Sequence, residues 1–161
     1  VTSMEIIDNA IPHIGGEAPK METESRKLLG DFDGGELSMH ESTVNASCNR
    51  IPTLDGHLES LFVDLAEEPT AEEAREAMRE YPGVDLPSAP DQLIHVFGDE
   101  EMYRPQPRLD RERENGMQIS AGGVEATDSG LKYNCLAHNT LRGAAGASLL
   151  NGELLVEEGW I

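Results

Sequence analysis

The chain has 161 residues, the length of one ordinary domain with room for a real core. Hydrophobic residues make up 38% of it, apolar periodicity survives in several segments, and no apolar run is long enough for a membrane span or a signal peptide. The formal net charge of −19 argues against binding to nucleic-acid backbones or to anionic membranes, because both would repel such a surface.

The acidic residues are spread along the chain, and only three lysines stand beside nine arginines. Dispersed acid with scarce lysine looks like the surface of a salt-adapted cytoplasmic protein; a merely acidic mesophilic domain is the plainer alternative. Cys48 and Cys135 form no CxxC and no Cys/His ligand cluster, so a reduced cytoplasmic setting without a structural metal is expected. The histidines, at 13, 40, 57, 95 and 138, are dispersed without ligand spacing. The first residue is Val1, which suggests a processed or cropped piece.

In chain order, Val1 to Gly16 reads as an apolar lead-in that ends in a turn. Glu17-Ala18-Pro19-Lys20 opens a helix running to Leu29, with Met21, Leu28 and Leu29 as a partial apolar face and Gly30 as the stop. Asp31 to Gly35 reads as a turn and Glu36 to Ser47 as an extended segment. Glu59 to Leu65 alternates, with Leu61, Val63 and Leu65 on one side, and predicts a half-buried strand. Thr70-Ala71-Glu72-Glu73 is a capping box, placing a helix from Ala71 to Glu80 with Ala74, Ala77, Met78 and Tyr81 toward the core.

Gln92 to Phe97 predicts a short strand, followed by a long charged loop from Gly98 to Asn115 that carries four arginines. Met117 to Gly122 and Leu131 to Ala137 read as strands around a turn at Thr127 to Gly130. Asn139 or Thr140 is expected to cap a closing helix from Leu141 to Leu155, whose small residues Gly143 to Ala147 permit close backbone approach. Strands mixed with three helices imply an α/β or α+β layer, a mixed sheet with helices on one face. No GxGxxG or Walker-type loop follows a strand, so no nucleotide-binding half is expected here.

The stretch from Cys48 to Ser60 sets Arg50 and His57 seven residues apart, with Pro52 and Gly56 between them. A guanidinium offers a planar fork of donors for a carboxylate, and an imidazole is suited to proton transfer near neutral pH. The pair is expected on a turn leading into the strand near Glu59. A surface charge and a satisfied structural histidine are the bland alternatives. Likewise Glu17 and Lys20, three apart, read by themselves as a solvated pair at a helix start.

Four motifs in sequence order then resemble one family. Asn9 to Glu17 with Lys20 to Glu24, Cys48 to His57, Arg104 to Asp110, and His138 to Gly146 are similar to the archaeal and fungal branch of the aspartate-semialdehyde dehydrogenases. The likeness runs from about Ile6 to Leu155. It implies that His57 is the general acid/base and that Arg50 clamps the substrate carboxylate. It implies that Glu17 and Lys20 are substrate- and phosphate-site residues, and that Asn139 lines the nicotinamide pocket. A phosphate beside a carboxylate needs fixed cations, and this acidic chain offers few.

The resemblance further implies NADP as cofactor and aspartyl phosphate as substrate, in the route to lysine, threonine and methionine. The nucleophilic cysteine and the dinucleotide-binding domain of the family find no match here. Cys48 sits in the arginine motif, and Cys135 lies in an apolar strand and reads as core. Residues 1–161 are therefore expected to be a single catalytic and dimerisation domain, inactive alone, that partners its own N-terminal dinucleotide-binding domain within a homodimer or homotetramer. The implied fold is a mixed, largely antiparallel sheet with helices on one face, like the C-terminal domain of glyceraldehyde-3-phosphate-dehydrogenase-like enzymes, its other face used for subunit pairing. A malonyl-CoA reductase of the same family and a non-catalytic dimerisation module are the alternatives.

Overall fold

The computed structural model describes residues 3–161; Val1 and Thr2, the start of the expected lead-in, lie outside the described residues. The chain divides into two compact units, Val1–Pro52 and Thr53–Ile161.

The first unit begins with a single helical turn, α1 (Ser3–Ile6), and its longest element is α2 (Glu17–Leu28). Gly16 starts α2 from the left-handed region, at φ 83°, where a side chain would be strained. The partial apolar face expected for this helix is reduced to Met21, half-buried against Cys48; none of the helix is fully buried, and Leu28 is 82% exposed. Leu28 and Leu29 fall at the last turn, where Gly30 leads the chain away into a hairpin. That hairpin, β1 (Asp31–Asp33) with β2 (Glu36–Ser38), occupies much of the expected turn, and only Gly34-Gly35 remains as the connection. Both glycines have positive φ, as a two-residue hairpin loop requires. The extended segment expected over Glu36 to Ser47 shrinks to β2, because its side chains lack the alternation that would bury one face. Arg50 closes the unit by pairing both its backbone groups with Ile11, at 2.8 Å each.

The second unit is built on a four-stranded mixed sheet in the order β3-β6-β5-β4. β3 (His57–Asp64) starts two residues earlier than expected, so His57 stands on the strand rather than on the turn before it. α3 (Ala71–Glu80) follows the expected bounds, with the capping box formed in both directions between Thr70 and Glu73. The hydrogen bonds from Thr70 lower the Glu73 pKa. β4 (Ile94–Val96) runs parallel to β5, and β3, β6 and β5 are mutually antiparallel. The charged loop is not uniformly irregular. It contains a 3-10 turn at Asp99–Glu101, a short α4 (Pro107–Asp110) and another turn at Arg113–Gly116. β5 (Ile119–Thr127) and β6 (Gly130–Ala137) form the central hairpin, with a register shift between Gly122 and Glu125.

Ala74 of α3 packs against Val96, Ala121, Val124 and Leu131, with Met78, Ile94 and Tyr133 at the margin. Ala77 and Tyr81, expected inside, are exposed, Tyr81 by 61%. Pro82 follows the end of the helix, and these two flank an open apolar hollow instead. Arg75 is the polar fastening of α3: it is buried, pairs with Glu72 and Asp99, and donates to the Val124 carbonyl at 3.1 Å. Its hydrogen bond to Glu72, reinforced by Arg79, lowers the Glu72 pKa.

The opposite face of the sheet is covered at one end by the arginine-rich loop. There Asp110, 1% exposed, accepts from both sides of the Arg104 guanidinium and from the Gln106 N–H at 2.6 Å. Burial opposes its ionisation, but these hydrogen bonds outweigh it and hold its pKa below the ordinary carboxylate value. Arg104 and Arg113 both lie over the Phe97 ring, 4.8 and 5.7 Å from its centre. His95 meets the same ring edge-on, and burial, with the Arg113 charge beside it, lowers the His95 pKa.

The closing helix begins as a π turn (Leu141–Ala145) and continues as α5 (Gly146–Glu157). Neither Asn139 nor Thr140 caps it through its side chain. The buried His138 does so, its Nδ1 accepting the N–H groups of Thr140 at 3.1 Å and Leu141 at 3.2 Å. Since Nδ1 accepts, the ring proton sits on Nε2, 3.8 Å from a Glu112 carboxylate oxygen.

Candidate active site

Three of the expected site residues lie in the first unit. Arg50 has its backbone fixed by the two-way pairing with Ile11 while its side chain is exposed and forms no hydrogen bond or ion pair among the described residues. A held backbone with a free guanidinium is what gripping a carboxylate asks for. Glu17 is the first residue of α2 and Lys20 lies one turn on, its N–H bonded to the Gly16 carbonyl at 3.3 Å. Both side chains are exposed, and no ion pair joins them among the described residues, so the simple pairing that their spacing suggests is not made.

His57 and Asn139 lie in the second unit. His57 opens β3 opposite Ala137 of β6, on the same face as Leu61 and Val63, and its exposed imidazole has no partner among the described residues. The residue before it explains its placement. Gly56 sits at φ +107°, and a Cβ there would press on Leu136 Cδ1 at 3.2 Å and Pro107 Cβ at 3.3 Å. Only glycine turns the chain sharply enough and fits under α4. The Gly56 N–H donates to Asn139 Oδ1 at 2.9 Å. Asp55, on the same turn, receives the Thr140 hydroxyl and, at its carbonyl, an Arg111 N–H, both at 3.4 Å.

The two thiols are placed for packing. Cys135 stands opposite Glu59 on the sheet, with its sulfur 3.9 Å from a Glu59 oxygen. Burial, aided by the Glu59 charge, pushes this thiol up to about 12, so it is not a thiolate at neutral pH. Cys48 rests on the Met21 thioether, 3.4 Å away. Among the described residues no group of three or more His, Cys, Asp or Glu is arranged to hold a metal ion. For a cofactor, the group that fits is the Asn139 amide. Its oxygen is committed to a backbone N–H, so its Nδ2 is left as a donor for a carbonyl such as that of a carboxamide.

Chemically, the chain offers a fixed, exposed imidazole for proton transfer, a free guanidinium for a carboxylate, and an exposed lysine for a phosphoryl group. Reading the sequence missed the roles of Gly56, Asp55, Arg111 and His138. The signals present were a glycine directly before the histidine and a His-Asn pair directly before a run of small residues.

Residues 1–142 match the family model described as "Semialdehyde dehydrogenase, dimerisation domain". The chain is 48% identical over 159 residues to an aspartate-semialdehyde dehydrogenase of Archaeoglobus fulgidus, covering 98% of this chain and 46% of that protein. It is 44% identical over 171 residues to the enzyme of the same name from Schizosaccharomyces pombe, covering 99% of this chain and 47% of the relative. A crystal structure of aspartate-semialdehyde dehydrogenase with NADP from Candida albicans superimposes with a TM-score of 0.90 at 38% identity, over 100% of this chain and 48% of that one. The chain thus spans about half the length of the curated relatives it matches.

Proposed function

Because this chain belongs to the family of semialdehyde dehydrogenase dimerisation domains, we propose that it is the catalytic and dimerisation domain of an NADP-dependent aspartate-semialdehyde dehydrogenase. The reaction reduces L-aspartyl phosphate to L-aspartate semialdehyde and releases phosphate, serving lysine, threonine and methionine biosynthesis in the cytoplasm. NADPH, the reduced form of the cofactor, would supply the hydride. The observation that supports this reading most is the unpartnered His57 imidazole at a rigidly held strand start, in a chain 48% identical to an enzyme of that name.

In this reading Arg50 grips the substrate carboxylate with its planar fork, and the Glu17 carboxylate holds the amino group. Lys20 neutralises the phosphoryl group as a point charge. His57 gives and takes the proton at the substrate oxygen. Asn139 Nδ2 donates to the nicotinamide carboxamide. Neither Cys48 nor Cys135 attacks the acyl carbon; we assign that step to a cysteine outside residues 1–161, alongside a dinucleotide-binding domain. We assign subunit pairing, as a homodimer or homotetramer, to the sheet face that carries Leu58, Ser60 and Phe62, the last of which is 80% exposed. No helix among the described residues is long and apolar enough to cross a membrane. The net charge of −19 supports a salt-adapted surface.

The test is an assay of the intact enzyme in dilute and in concentrated salt. NADP reduction is followed with L-aspartate semialdehyde, with and without inorganic phosphate. Phosphate-dependent reduction is expected, stronger in salt. No reduction, or reduction that requires coenzyme A in place of phosphate, would move the assignment to a malonyl-CoA reductase or a non-catalytic module.

A further inference from the structure

We infer that Asn139 is a positioning residue for His57, acting through the backbone amide of Gly56; this rests on the reading of His57 as the proton-transfer group. The ladder between β3 and β6 begins at the His57–Ala137 pair, so the Gly56 N–H lies one residue outside it. The bond that Gly56 makes instead is the 2.9 Å donation to Asn139 Oδ1. His57 is thus held on one side by its strand partner and on the other by a side chain two residues beyond that partner. The turn depends on glycine: a Cβ at Gly56 would press on Leu136 and Pro107, and its positive φ is one that other residues resist.

Asn139 is itself immobilised. On its N-terminal side, His138 is buried and its Nδ1 takes the N–H groups of Thr140 and Leu141; its carbonyl takes the Gly143 N–H at 2.9 Å. On its C-terminal side, the Thr140 hydroxyl reaches Asp55, beside Gly56. The His138 cap, the π turn and the Asn139 amide therefore form one continuous support that ends at the Gly56 amide, directly before His57. A π turn in this place is consistent with a functional demand on the helix start. Without the Gly56–Asn139 bond, a left-handed glycine would be free to relax, and His57 would move with it.

Four variants of the intact enzyme test this, His57→Asn, Asn139→Ala, Asn139→Asp and the double variant His57→Asn/Asn139→Ala, each assayed for kcat, NADP dissociation constant and the pH profile of kcat. Asn139→Ala should lower kcat by about 10- to 100-fold through misplacement of the base and should alter the pH profile. Asn139→Asp keeps an acceptor at the right reach and should recover most of the lost kcat, while weakening NADP through loss of the Nδ2 donor. The double variant should be no slower than His57→Asn. Hydrogen exchange at the Gly56 amide should accelerate in Asn139→Ala and stay slow in Asn139→Asp.

An Asn139→Asp variant as slow as Asn139→Ala, or a double variant slower than His57→Asn by the full Asn139→Ala factor, would show that Asn139 acts apart from His57 and overturn the inference. Should Asn139→Ala not fold, Asn139→Gln takes its place: its longer side chain displaces the acceptor, and normal kcat with unchanged Gly56 exchange would equally overturn it. A His57→Asn variant with undiminished turnover would instead remove the catalytic reading of His57 on which the inference stands.

Discussion

Two stretches of the second unit have exchanged the environments that their composition suggests. The segment from Gly98 to Gln118 is among the most charged in the chain, yet it holds Asp110 at 1% exposure and Gln118 at 4%. The helix from Gly146 to Glu157 is rich in leucine, yet none of its residues is buried, and Leu149, Leu155 and Val156 are exposed. Beyond its first turn, which lies against Met117, α5 is tied to its own unit by polar bonds: Glu153 accepts from the Ser88 N–H at 2.9 Å and from the Ser88 hydroxyl at 2.7 Å. The contrast teaches that burial depends on whether a group's bonding capacity can be met. Asp110 goes inside because Arg104 and the Gln106 N–H saturate its oxygens. The leucines of α5 are interspersed with Ser148, Asn151, Glu153 and Glu157, so no single apolar face forms along it for the sheet to cover.

The comparison can be broken most forcefully at Asp110. Asp110→Ala would leave the Arg104 guanidinium over Phe97 without its anion, and since that guanidinium is only partly buried we expect a loss of about 2–4 kcal/mol near neutral pH in denaturant unfolding. A loss under ~0.5 kcal/mol would mean that the loop is held by its apolar contacts alone.

The same pair sets a pH dependence. The folded-state pKa of Asp110 lies below its unfolded value, so its contribution is present above that unfolded value and is lost as pH falls through the folded one. The stability gap between the wild type and Asp110→Asn should therefore narrow on acidification below the ordinary carboxylate pKa. A gap that stays constant down to strongly acidic pH would contradict the assignment. The smallest effect belongs to the other stretch. Leu149→Ser on α5 should change the stability of this chain by no more than ~0.5 kcal/mol, because the side chain is 59% exposed.

The same contrast explains how much of the molecule was legible. Elements governed by local rules were read closely: the Thr70–Glu73 capping box set the bounds of α3, the alternation from Glu59 marked β3, and β6 was placed to within a residue, whereas β5 runs on to Thr127, past its expected end at Gly122. The mixed sheet and the family were legible too, the family because four motifs recurred in order. Roles set by distant partners were not. Nothing near Tyr81 signals that it stays exposed at the rim of an apolar hollow, and nothing near Asn139 signals that its oxygen serves Gly56, 83 residues away. The cap of the closing helix was missed because histidine is not among the usual capping residues; it works here only because the ring is buried with Nδ1 facing two free N–H groups. Of the candidate site, Arg50 and His57 were visible as residue types suited to the chemistry, while their rigid mounting became visible only in the fold.

The most direct measurement of the central claim is the turnover of His57→Asn in the intact enzyme, in the phosphate-dependent NADP assay with L-aspartate semialdehyde. Loss of the proton-transfer group should lower kcat by about 10²- to 10⁴-fold with the fold and NADP binding retained. A kcat within about twofold of the wild type would contradict the account, leaving His57 as a surface histidine on a well-held strand.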